Sequence, residues 1–101
     1  MVLGTARSIN GVPVRLTEER WEHILDGHAE FSHSDAGMIL EAVEDPEYIL
    51  RGRAGSLVAV VVLGRGSYLH VVYKEVSARD GFIITAFILP SMDRRKIQWR
   101  R

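Results

Sequence analysis

The feature that most constrains this chain is a change of hydrophobic period at Pro46. Before it, apolar residues recur at helical spacing; after it, they fall into β-branched runs with a period of two. Trp21, Ile24 and Leu25 form one helical stripe, and Met38, Ile39, Ala42 and Val43 form another. Thr17 stands where an N-cap belongs, Glu18 and Glu19 fill the first turn where the helix dipole favours carboxylates, and Gly27 offers a stop. These signals predict a helix over 18–27. Ser34 or Asp35 can cap a second helix, which Asp45-Pro46 ends. Beyond Pro46, the runs Tyr48–Arg53, Leu57–Leu63, Tyr68–Val76 and Phe82–Leu89 read as strands. Their breaks at Arg53-Ala54-Gly55, Gly64-Arg65-Gly66 and Arg79-Asp80-Gly81 are short, so neighbouring strands should pair as antiparallel hairpins. A block of helices followed by a block of strands predicts an α+β fold: two N-terminal helices packed on an antiparallel sheet of about four strands. Within residues 5–16, Asn10-Gly11 marks a turn between short extended pieces, and Pro13 limits any strand there to a sheet edge.

The 101 residues make one domain over 1–101, with residues 90–101 expected to form a basic C-terminal tail. With no cysteine, the chain has neither a disulfide scaffold nor a thiolate metal site. Its N-terminal residues lack an apolar signal core, and no apolar run approaches the roughly 20 residues that span a bilayer. The expectation is a cytoplasmic protein with no membrane partner. Net charge is zero, but it is split. Residues 1–50 carry three basic and ten acidic side chains; residues 51–101 carry ten basic and three acidic. Such a basic half suits a polyanion, although the two halves could equally serve only to attract each other.

Strand parity places Leu69, Val71 and Tyr73 on one face and His70, Val72 and Lys74 on the other. The helices need the apolar face, which leaves His70 and Lys74 on the open one. Arg51 and Arg53 share a face of their strand with Ile49, opposite Tyr48 and Leu50, and Thr85 lies with Ile83 and Phe87 by the same alternation. Whether Arg51, His70 and Thr85 meet depends on register, which parity leaves open. On the first helix, His23 falls on the polar side with Glu19 and Asp26, whereas His28 projects back toward the apolar stripe.

Four histidines invite a metal, but His23, His28 and His33 are spaced five apart rather than at the i, i+4 of a helical zinc site, so no metal or other cofactor is expected. No serine sits in a nucleophile elbow, and there is no P-loop or dinucleotide fingerprint. Metal-independent RNA cleavage fits the residue types better. It needs a base for the ribose 2′-hydroxyl, an acid for the leaving 5′-oxygen, and cations around the phosphorane. Histidines serve the first two near neutral pH, and Lys74 and the arginines serve the third. The segment Arg94-Arg95-Lys96-Ile97-Gln98-Trp99-Arg100-Arg101 could supply a polyanion arm, with Trp99 stacking on a base. Each of these residues also has a plainer role, as a solvated histidine, a strand-forming threonine or a solubilising end.

The segment Arg15-Leu16-Thr17-Glu18-Glu19-Arg20-Trp21-Glu22-His23-Ile24-Leu25-Asp26-Gly27-His28-Ala29-Glu30 resembles the opening of the phage- and toxin-associated domains of the barnase–EndoU–colicin–RelE-like nuclease group. Asp45-Pro46-Glu47-Tyr48-Ile49 and Gly81-Phe82-Ile83-Ile84-Thr85-Ala86-Phe87 are similar to that group's later blocks. Ala29 stands where a proline is common in the group. The resemblance implies a metal-independent ribonuclease with a cognate antitoxin or immunity protein. It implies His23 and His28 as acid–base groups, with Lys74 and Thr85 as strand-borne polar groups near the phosphate, where the residue pattern itself adds His70. Arg51, Arg53, Arg94, Arg95 and Trp99 would then bind RNA. The readings from other classes are a non-catalytic module that binds nucleic acid or protein, and a homodimer built through an exposed strand.

Overall fold

A computed structural model describes all 101 residues. Two helices lie against one face of a seven-stranded sheet whose order is β1-β2-β6-β5-β4-β3-β7. The strands are β1 (Val2–Arg7), β2 (Pro13–Thr17), β3 (Tyr48–Arg51), β4 (Leu57–Gly64), β5 (Ser67–Ser77), β6 (Asp80–Leu89) and β7 (Ile97–Arg100). The helices are α1 (Glu18–Gly27) and α2 (Ala36–Glu44). The expected core of four antiparallel strands is present as β3 to β6. The expected class of two helices on a four-stranded antiparallel sheet is nonetheless overturned, because a hairpin precedes α1 and a further strand follows β6.

The N-terminal correction has a local cause. Asn10-Gly11 does turn the chain, with Gly11 at φ 80°, and the flanking pieces pair as β1 and β2. Pro13 heads β2 opposite Arg7, at the end of the ladder, where a missing N–H costs little. The expectation that Pro13 confines its strand to an edge is overturned: β1 is the edge, and β2 lies inside the sheet, pairing with β6 in parallel through Val14 opposite Gly81 and Arg15 opposite Phe82. That contact makes the sheet mixed. Gly81 suits its place between β5 and β2, because a Cβ there would come within 2.7 Å of the Lys74 carbonyl oxygen on β5 and 3.2 Å of Val14 Cγ2 on β2. The C-terminal correction is of the same kind. Residues 90–101 are not a free tail: Arg94–Lys96 form a 3-10 turn, and β7 pairs antiparallel with β3 as the opposite edge. Ile97 and Trp99 are half-buried there, alternating with exposed Gln98 and Arg100.

α1 starts as its sequence predicts, with the Thr17 hydroxyl accepting from the Arg20 amide at 3.1 Å. Ser32 and Asp35 form a capping box ahead of α2, and the Asp45 amide closes the helix end on the Glu41 carbonyl at 2.8 Å. The core lies between helices and sheet. Trp21, Ile24, Ile39 and Val43 meet Leu16, Leu69, Val71, Tyr73 and Ile83, all buried. Parity therefore assigned the helix-covered face of β5 correctly. No helix is long and apolar enough to cross a membrane.

Candidate nucleic-acid interface

The other face of the sheet is only partly bare. Leu50, Val58 and Val60 form a small buried cluster there, covered by Tyr48, Tyr68, Val72, Met92 and Ile97. The chain leaving β6 folds back over this strip to reach β7. Between the returning segment and the strands lies a groove of about 1020 Å³. Its floor is apolar, with Leu50, Val58, Val72, Ile84 and Phe87 along it. The lining also includes Arg51, Arg53, Arg95 and Lys96, with Asp93 its one acidic residue; Arg51 ends β3 opposite Leu57, whose partner Tyr73 is buried on the helix side, so alternation alone would not bring its side chain to this face. His70 and Thr85 complete the set.

Register explains why residues 34 positions apart meet. Val60 lies opposite His70 and Leu50 opposite Val58, which aligns β3, β4 and β5. His70 pairs with Phe87 and Val72 with Thr85, which adds β6. A register shift between Val72 and Tyr73 puts an extra residue into β6, so Ile84 and Thr85 both reach the groove. Simple alternation, which set Thr85 with the buried Ile83, does not hold across that irregularity.

His70 is only 4% exposed. Its ring stacks on Phe87 with centroids 5.2 Å apart and planes 20° from parallel. Burial pushes its pKa below the ordinary histidine value, against a smaller opposing effect of the Tyr68 carbonyl, 3.0 Å from Nδ1. The imidazole is therefore neutral at pH 7, and with the Nδ1 hydrogen donated to that carbonyl its Nε2 is left as an acceptor. The expectation of a wet His70 beside Lys74 on an open face is thus corrected: His70 is nearly buried, with the Phe87 ring stacked on it.

The cations differ in how free they are. Arg95 is held by Asp93 through Nε at 3.1 Å and a second nitrogen at 3.2 Å, and that side-chain bond holds the Asp93 carboxyl below its usual range. Arg51, Arg53 and Lys96 are exposed and take part in no ion pair. Lys74 does not line the groove; its Nζ donates to the Ala54 carbonyl at 3.1 Å.

The remaining expected residues lie elsewhere. His23 is exposed on α1, which packs on the opposite face of the sheet. His28 is half-buried at the end of α1, with its ring 6.3 Å from Phe87 and its Nδ1 3.8 Å from Glu30. The Glu30 carboxylate accepts from the Ile88 amide at 3.3 Å, so this loop covers the stretch of β6 that β2 leaves unpaired. His28 thus reaches the groove only through Phe87. Trp99 packs toward the main core rather than into the groove, and Arg94 is exposed outside its lining. Residues that sequence reasoning did not place at the site are Phe87, Ser56 and Asp93. Phe87 meets His70 only through the β5–β6 register, which the sequence leaves open; Asp93 had a signal in its spacing of two from Arg95.

No group of three or more histidine, aspartate or glutamate side chains is placed to hold a metal ion. The fold and groove define an α+β domain with a cation-rimmed, apolar-floored cleft on its helix-free face. No family model, curated protein or solved structure matches the chain.

Proposed function

We propose that the groove binds RNA and that the protein cleaves it without a metal ion. The observation that carries this reading is that one cleft gathers His70, Thr85, Arg51, Arg53, Arg95 and Lys96 over an apolar floor. Basic residues in the lining suit phosphates, and a floor of aliphatic side chains with one aromatic suits unpaired bases. In the cleavage step His70 Nε2 takes the 2′-hydroxyl proton, and the 2′-oxygen attacks the adjacent phosphorus. The bond to the 5′-oxygen breaks, leaving a 2′,3′-cyclic phosphate, and water in the open groove protonates the departing oxygen. Arg51 and Arg53 offset the charge that builds on the phosphorane. Such an activity belongs in the cytoplasm with its RNA. A toxin- or phage-borne role with an antitoxin or immunity partner extends the same reading, supported by the sequence resemblance alone.

One observation favours a second reading, RNA binding without cleavage. His70 is almost fully buried and stacked, which suits a structural ring as well as a base. The test is incubation of the purified protein with labelled mixed-sequence RNA in EDTA, followed by analysis of product ends. Cyclic-phosphate ends that disappear in His70→Gln support the nuclease. Retained but intact RNA leaves the binding module, and RNA neither held nor cut removes both readings.

A further inference from the structure

The geometry points to Lys74 as a positioning residue that acts through the turn carrying Arg51 and Arg53, not by touching RNA itself. This inference rests on the RNA reading of the groove only for its functional half.

The turn between β3 and β4 is unusually constrained. The Gly52 amide donates to the Ser56 carbonyl at 2.9 Å, and the Ser56 amide and hydroxyl both donate to the Arg53 carbonyl, at 2.9 and 2.7 Å. A Cβ on residue 52 would lie 2.2 Å from Ser56 Oγ and 2.9 Å from the Ser56 carbonyl oxygen, so glycine suits this close approach. Ala54 and Gly55 are both left-handed, at φ 52° and 80°. For Gly55 this is free of strain; for Ala54 it is a sparsely populated conformation that its surroundings must hold.

Lys74 is the side chain placed to hold it. Leu57 lies opposite Tyr73, so Lys74 is next to the mouth of the turn, one strand away. Its Nζ donates to the carbonyl of Ala54, the strained residue, at 3.1 Å. The side chain is half-buried and has no carboxylate partner. A charge-assisted bond to the one left-handed non-glycine residue fixes the turn. The turn in turn fixes where Arg51 and Arg53 emerge at the rim of the groove.

Two measurements separate this role from direct contact. In the free protein, Lys74→Met should raise hydrogen exchange at the Gly52 and Ser56 amides about tenfold, leave the β5–β6 amides unchanged, and be restored by Lys74→Arg. Unchanged exchange at Gly52 and Ser56 overturns the clamp, whatever RNA does. On RNA, Lys74→Met should weaken binding about tenfold alone but have almost no further effect once Arg51 and Arg53 are both alanine, because residues acting as one unit are not additive. Equal losses in both backgrounds, with the salt dependence reduced by about 0.7 in log–log slope as for one phosphate contact on a single strand, would make Lys74 a direct ligand and overturn the proposal. If the wild type holds no RNA, the functional reading fails and the exchange result alone decides the clamp.

Discussion

The two faces of the sheet are built from the same strands and do opposite things. On the helix side, Leu69, Val71 and Tyr73 of β5 are fully buried among α1 and α2, and the layer is closed. On the other side, Val72 of the same strand is half-buried, and His70 is covered by Phe87 rather than by a helix. The cover there comes from Met92 of the segment after β6 and Ile97 at the start of β7, which pack on a three-residue cluster and leave a groove beside it. One face spends its apolar surface on stability. The other keeps part of that surface reachable and surrounds it with cations. A functional site on this fold comes from incomplete coverage of a second apolar face.

Matched truncations give the largest expected contrast. Leu69→Ala should cost about 4 kcal/mol, in the upper range for a buried leucine, because the closed layer cannot collapse into the cavity. Leu50→Ala should cost about 2 kcal/mol, since the cavity opens on the groove and water can fill it. Denaturant titration of both variants checks this, and equal losses would mean that the two faces are packed alike. A smaller effect sharpens the position of Trp99. Trp99→Ala should lower stability by about 2 kcal/mol as a half-buried packing residue, with RNA affinity unchanged within twofold. Loss of affinity at full stability would return Trp99 to the RNA surface.

The smallest effect concerns His70. Its folded pKa is depressed, while the unfolded chain keeps a value of about 6.5. Between those two values the unfolded state binds the extra proton, so stability falls as pH drops through about 6.5 and levels off below the folded pKa, by no more than about 1.4 kcal/mol per pH unit. His70→Gln should flatten that part of the profile. An unchanged profile would show that the imidazole is freely solvated and that the groove face is more open than its packing suggests.

What the sequence made legible follows from how local each signal is. Both helices, the Thr17 cap of α1 and the four central strands are written in period and capping residues, and the structure has them within a few positions. The flanking strands were hidden for physical reasons. β1 and β2 are short, and Pro13 masks the start of β2, whose central pairing is with β6 far along the chain. β7 is four residues long and reads as a basic tail because every second side chain faces solvent. For the site, parity put His70 and the helix-facing residues of β5 on the right faces, and the basic half of the chain does supply the rim of the groove. Parity could not bring Thr85 to His70, because an irregularity in β6 decides it, nor show that Lys74 bonds to a turn instead of facing outward. The α1 pair His23 and His28 followed from resemblance, and the structure sets His23 on the far side of the sheet from the groove.

The central claim is that the helix-free face, not α1, is the RNA surface. Titration of labelled single-stranded RNA against Arg51→Ala/Arg53→Ala and against His23→Ala, at fixed salt, tests it most directly. The arginine variant should lose at least tenfold in affinity with a shallower salt dependence, two fewer phosphate contacts being worth about 1.4 in log–log slope, while His23→Ala binds as the wild type does. Undiminished binding by the arginine variant, with affinity lost in His23→Ala, would contradict the account and move the RNA to α1.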